Sequence, residues 1–271
     1  MTNSSATIRT GIGGWTFEPW RGGAFYPADL PKAKELDYAV RHLGTIEING
    51  TYYRTQSPAT FAKWRAAAPA GFVYAVKALR YAVMKKKLAE AEESVTRFLN
   101  SGLTELGETL GPILWQFMET RRFDPDDIAA FLAMLPDRLD GVALRHVLEV
   151  RHESFACAEF VALAREHGVG IVVAEHPDHP QIADLTADFV YARLMRSREE
   201  IPTGYDDAAL DRWADIARHW AAGERPEGLS YVTDAAADGK KRDVFAYFIS
   251  AAKVRNPAAA MALAERVENY L

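Results

Sequence analysis

Cysteine is almost missing from this 271-residue chain: Cys157 is the only one. A lone thiol excludes an internal disulfide and any zinc site built from several cysteines. Long hydrophobic runs are missing too. No stretch approaches the roughly 20 apolar residues of a membrane span, and the opening MTNSSATIRTG carries no apolar h-region, so a cytoplasmic location is expected. Charge of one sign is not in excess, with 32 Lys and Arg against 37 Asp and Glu and a net charge of -5. That excludes a global attraction to nucleic acid or an anionic membrane and leaves only local basic patches. Gly11-Ile12-Gly13-Gly14 lacks the G-x-G-x-x-G spacing at a helix start that would cradle a dinucleotide. With no linker, low-complexity tract or internal repeat, residues 1–271 read as one domain.

What is present is an ordinary globular composition, 49% hydrophobic and 25% charged, in a chain long enough to bury a sizeable core unaided. Short runs rich in β-branched and aromatic residues predict strands at 8–15, 45–53, 72–80, 112–118, 146–152, Gly170–Glu175, 189–195 and 243–250. Helices are predicted at 126–135 after an Asp-Pro pair, at Ala158–Glu166 before Gly168, at 206–220 after an acidic start, and at 257–270 opening on a proline. Strands alternating with helices imply a parallel sheet, and eight such units imply closure into a single (β/α)8 TIM barrel from about residue 8.

Side chains alternate along a strand, so each strand presents one set to the barrel interior and the other to the helix ring. Assigning the apolar sets of six successive strands to the ring sends Glu47, Asn49 and Thr51, then Lys77, Gln116, Glu149 and Arg151, Glu175, and Arg193 inward. On the sixth strand this puts Val172 and Ala174 outside. Three carboxylates then meet three cations near the strand ends where barrel sites lie. Either they form an inert ionic filling, or they form a ligand site whose cations are imperfectly paired until an anion arrives.

Several chemistries suit these residues. Glu149 and Glu175, on adjacent strands, can divide acid and base roles, with His152 at a strand tip as a further proton carrier. Lys77 is a candidate for a Schiff-base lysine, which needs burial or cationic neighbours. Arg193, Arg196, Arg198, Lys253 and Arg255 come after the seventh and eighth strands, where barrels commonly hold phosphate. Glu175-His176-Pro177-Asp178-His179 is dense in metal-ligand types, but a proline-bearing loop supplies no fixed ligand geometry, and no metal is expected. Lys85-Lys86-Lys87 reads as a solvated run or as a rim for nucleic-acid phosphates. Of the aromatics Trp15, Phe17, Trp20, Tyr26, Tyr52 and Tyr53, Trp15 and Tyr52 are the candidates for stacking on a ligand.

At residues 46–53 (IEINGTYY) and 148–155 (LEVRHESF) the chain resembles the YecE-like family, domain of unknown function 72. The likeness runs on through residues 11–27, 72–78, 111–116, 189–193 and 205–214, nearly the whole chain. The resemblance implies a TIM barrel with no settled activity. It also implies Glu47, Asn49, Tyr52, Lys77, Gln116, Glu149, Arg151, His152 and Arg193 as site positions. The chain departs from the family pattern in four places. Phe117-Met118-Glu119 replaces Leu-Pro-Pro, Glu175 replaces Asp, Met195-Arg196 replaces His-Gly, and Phe248-Ile249-Ser250 replaces Phe-Asn-Asn. Those changes imply either a different ligand or a lost activity. The expectation is an enzyme of the hydrolase, lyase or isomerase type, without a cofactor, acting on a polar small molecule that is anionic, phosphorylated or sugar-containing. Glu149, His152 and Glu175 would be catalytic, and Glu47, Asn49, Tyr52, Lys77, Gln116, Arg151, Arg193 and Trp15 would bind substrate. A nucleic-acid-processing barrel and a non-catalytic ligand binder are the alternatives.

Overall fold

The structure, a computed structural model, describes residues 6–268. Eight parallel strands form a closed barrel: β1 (Ile8–Gly13), β2 (Thr45–Ile48), β3 (Val73–Lys77), β4 (Leu110–Gln116), β5 (His146–Glu149), β6 (Gly170–Glu175), β7 (Phe189–Leu194) and β8 (Asp243–Phe248). Each strand pairs with its neighbours in sequence, and β8 closes on β1 with Ile8 opposite Val244 and Ile12 opposite Phe248. Closure satisfies every strand edge. A two-stranded ribbon, Arg138–Leu139 with Val142–Ala143, lies outside the barrel.

The helices of the ring are α1 (Glu35–His42), α2 (Pro58–Ala67), α3 (Glu92–Leu99), α4 (Pro125–Leu132), α5 (Ala158–Glu166), α6 (Asp207–Ala221) and α7 (Asn256–Glu268). Their starts are set by local chemistry. The side chains of Ser57, Asp124 and Asp206 accept from the third amide onward at α2, α4 and α6, satisfying donors that a helix start leaves free. The predicted end of α7 at Tyr270 lies outside the described residues. The expectation of a helix after every strand is corrected between β6 and β7, where residues 176–188 form an irregular connection with no helix. Several strand ends were also over-extended, furthest at Tyr53, Arg80 and His152. Residues Gly50–Tyr53 and Arg80–Val83 turn into single helical turns above β2 and β3.

The barrel fills from the bottom with Val73, Leu114, Val147, Val172, Phe189 and Phe245, then with Ala75, Ala174, Tyr191 and Tyr247. The outer sides of the strands, among them Ile46, Ile48, Tyr74, Trp115, Leu148 and Val190, pack against the helices. On β6 the faces are the reverse of the sequence expectation. Val172 and Ala174 point in, while Ile171 and Val173 point out. A run buried on both faces has no polar alternation to fix which side is which. No helix among the described residues is long and apolar enough to cross a membrane.

Candidate anion site at the strand ends

Above the tyrosine layer lies a buried ionic layer. Arg193, on the inner face of β7, donates from Nη1 to Glu149 Oε2 and from Nη2 to Glu47 Oε1 at 3.1 Å. The Tyr191 hydroxyl donates to the second oxygen of Glu47 at 2.6 Å. Glu149 stands opposite Gln116 in the β4–β5 register and accepts from its Nε2 at 2.6 Å. Arg151 reaches back from beyond β5 to Glu149 Oε1 at 3.0 Å, and its Nη1 lies 3.6 Å from Glu119 at the rim. Glu47, Glu149 and Arg193 are buried. Burial alone would push the Glu149 carboxyl up, but Arg193, Arg151, Gln116 and Lys77 together hold it down at about 2. Burial likewise opposes the charge on Arg193, and Glu149 and Glu47 outweigh it, fixing the guanidinium as a cation. A carboxylate held this strongly is a poor proton acceptor at neutral pH, so the geometry gives no support to Glu149 as a base.

A recess of about 220 Å³ opens over this layer, walled by Gly13, Asn49, Lys77, Gln116, Arg151, Arg193, Phe248, Ile249, Ser250, Lys253 and Asn256. Four of these are cations and none is a carboxylate. Even with Glu47 and Glu149 beneath and Glu119 at the mouth, cations outnumber anions, so the recess carries a positive field. Lys77 is 8% exposed, and its Nζ lies 4.3 Å from the centre of the Tyr52 ring. Lys253 lies over Phe17 and Trp20. Asn256, buried at the start of α7, accepts from Ser197 Oγ at 2.8 Å and donates to the Ser250 carbonyl at 3.2 Å. Gly13 leaves room on the β1 side. A Cβ there would lie 2.7 Å from Ile249 Cδ1 and 3.0 Å from Asn49 Nδ2.

The structure thus brings Glu47, Asn49, Tyr52, Lys77, Gln116, Glu149, Arg151 and Arg193 to one place. Three expected residues are elsewhere. Glu175 points away from the interior and accepts from the Tyr205 hydroxyl at 2.6 Å and from Trp213 Nε1 at 3.2 Å. Burial raises its carboxyl above the usual range against those two hydrogen bonds. It cannot pair with Glu149 because the β6 faces are reversed. His152 caps the short turn Glu153–Phe155, accepting the Ser154 amide on Nδ1 at 3.1 Å, and is absent from the recess wall. Trp15 packs edge-on against Trp64 at 5.5 Å in a groove between α1 and α2.

The basic residues at the end of β7 and after β7 and β8 also divide. Arg193 and Lys253 wall the recess, whereas Arg198 pairs with Asp206 at 2.8 Å and Arg255 donates to the Glu199 carbonyl at 2.9 Å. His176 and His179 stack on each other at 3.7 Å, and among the described residues no His, Cys, Asp and Glu cluster could hold a metal. Lys85, Lys86 and Lys87 edge a separate groove of about 830 Å³ whose other wall carries Asp124, Asp126 and Asp127. Sequence reading missed Tyr191, Gly13 and Asn256. The signal for Tyr191 was its place two residues before Arg193, hence on the same strand face.

The sequence matches a family model described as "Protein of unknown function DUF72" over residues 9–270. The chain belongs to the DUF72 family. A DUF72 family protein from Thermotoga maritima MSB8 superposes with a TM-score of 0.73 at 20% identity, covering 97% of this chain and 99% of that one. One from Enterococcus faecalis V583 gives 0.70 at 16% identity, covering 97% and 96%. At such identities the likeness carries the fold alone. No curated protein matches the sequence. Of the residues that the resemblance marked as departures in this DUF72 chain, Glu175 lies away from the recess and others lie in or near it. Ile249 and Ser250 line the recess, Met195 packs inside the barrel, and Glu119 pairs with Arg151 at its rim.

Proposed function

We propose that this DUF72 protein binds a small anionic molecule, bearing a carboxylate or phosphate, in the recess at the strand ends. The observation that carries this reading is the composition of the wall: four cations and no carboxylate around about 220 Å³. An arrangement built only to fill a barrel would neutralise its charges in pairs or use apolar side chains. The amides of Asn49, Gln116 and Asn256 add donors that can orient an oxyanion. Volume limits the ligand to a few heavy atoms, well below the 300–1,000 Å³ typical of drug-sized sites.

The test is thermal unfolding in rising sulfate or phosphate. At ten times the dissociation constant, specific binding adds about 1.4 kcal/mol of stability, a rise of a few degrees. Sulfate also stabilises proteins by exclusion from their surface, so the comparison is with Lys77→Met, which retains only that general effect. An identical response from wild type and variant would refute the reading.

A further inference from the structure

Lys77 differs from the two arginines of the recess in having no ion pair of its own, and from Lys253, whose ammonium also rests only on rings, in being buried. Arg193 holds Glu47 and Glu149, Arg151 holds Glu149 and lies near Glu119, and Lys253 rests on two aromatic faces. The Lys77 ammonium has no hydrogen bond or ion pair among the described residues, and its close neighbour is the Tyr52 ring. It is more than nine-tenths buried and yet faces the recess. Both carboxylates beneath it are occupied by guanidinium groups, so Lys77 feels their charge without a direct ion pair to either.

We propose that Lys77 is a nucleophile, whose amine condenses in the recess with the carbonyl of a short oxo acid while neighbouring cations hold the acid's carboxylate. This deepens the anion-binding reading and rests on it. The amine lone pair forms the new C–N bond, and the carbonyl oxygen leaves as water carrying both amine hydrogens. The resulting imine takes one proton from solvent at the open mouth and becomes an iminium. No oxidant or reductant enters. The step needs a neutral amine, and the surroundings favour one. Burial, then Arg193, lower Lys77, with Arg151 acting in the same direction. Glu47 and Glu149 oppose them, and the outcome is about 8 in place of 10.5.

The experiment treats the full chain with glyoxylate and sodium cyanoborohydride, which traps the iminium as carboxymethyl-lysine, and maps the adduct by peptide mass spectrometry. A lysine near 8 holds on the order of a hundredfold more neutral amine at neutral pH than an ordinary one. Lys77 is therefore expected to be modified at least about tenfold faster than exposed Lys85, Lys86 and Lys87, with a rate that levels off just above pH 8 and falls when sulfate is added. Lys77→Arg keeps the charge, so it should retain the sulfate-dependent rise in melting temperature and lose the adduct. If Lys77 reacts no faster than the exposed lysines while wild type still responds specifically to sulfate, the nucleophile is refuted and the anion site stands. If the specific sulfate response is absent, the anion site is refuted and this proposal with it.

Discussion

Replacing Arg193 by methionine tests the ionic layer directly. In the folded protein Arg193 is shared by two buried carboxylates. After the substitution Glu149 keeps Arg151 at 3.0 Å and Gln116 at 2.6 Å, but Glu47 keeps only the Tyr191 hydroxyl at 2.6 Å. Stranding one member of a buried pair costs about 3–5 kcal/mol. The depression of Glu149 from 4.5 to about 2 gives a similar scale, since each unit is worth about 1.4 kcal/mol. A carboxylate held low contributes stability that is present above its unfolded value and is lost as pH falls toward 2. The variant lacks much of that contribution, so its deficit should be full at pH 7 and shrink through the acid range. Urea denaturation across pH measures it. Adding Glu47→Gln to the variant removes the stranded charge and should recover about half of the loss, because an amide still accepts from Tyr191. A deficit below about 1 kcal/mol at pH 7, or one independent of pH, would refute the account of Arg193 as the clamp of this layer.

Two further substitutions separate the site from its surroundings. Lys77→Met should stabilise the protein by roughly 2–3 kcal/mol at pH 7, because a lysine lowered to about 8 is penalised while it holds its proton. That gain is fully present below about pH 8 and fades toward pH 10.5; a variant less stable than wild type at pH 7 in urea titration would contradict it. Glu175→Gln keeps a polar group for Tyr205 and Trp213 and removes a charge that burial disfavours. It should change stability by less than about 1 kcal/mol and leave the sulfate response intact, whereas a lost response would mean that Glu175 does act in the recess.

The barrel was legible because most of its strands are bounded by turns or helix signals that local chemistry enforces. The inward set on β2 to β5 and β7 was legible because one polar residue stands among apolar ones: Glu47 between Ile46 and Ile48, or Arg193 between Ala192 and Leu194. On β6 the run Gly170–Ala174 is apolar throughout, so Glu175 at its end could be assigned to either face. Its partners, Tyr205 and Trp213, lie 30 and 38 residues onward and give no local signal. Nor could sequence foretell which cation is spare. Arg193 was the expected anion holder, yet the barrel's width and register bring both carboxylates to it and leave Lys77 unpaired. His152 resembled a proton carrier because its spacing beyond Glu149 and Arg151 is right. A histidine just beyond a strand can instead turn to cap the next helical turn, and here it caps Glu153–Phe155.

The missing helix after β6 leaves the outer wall with a seam. There the irregular segment 176–188 is clipped to the loop before β8: Asp184 accepts from the amides of Val232 and Thr233 at 2.7 and 3.0 Å, and the Ala183 amide donates to the Ser230 carbonyl at 2.9 Å. A helix would hold that wall through its own repeating ladder, whereas two loops fastened by a few clips, with the Gln181 amide oxygen accepting from the Ser230 amide and Arg242 donating to the Ala187 carbonyl besides Asp184, can part together as a unit. Backbone amides of 181–186 and 230–233 would then exchange with deuterium in step, well before those of β7 and β8. The slowest-exchanging amides would belong to the strands that carry Arg193 and flank the recess, so the wall could breathe while the charged floor stayed in register.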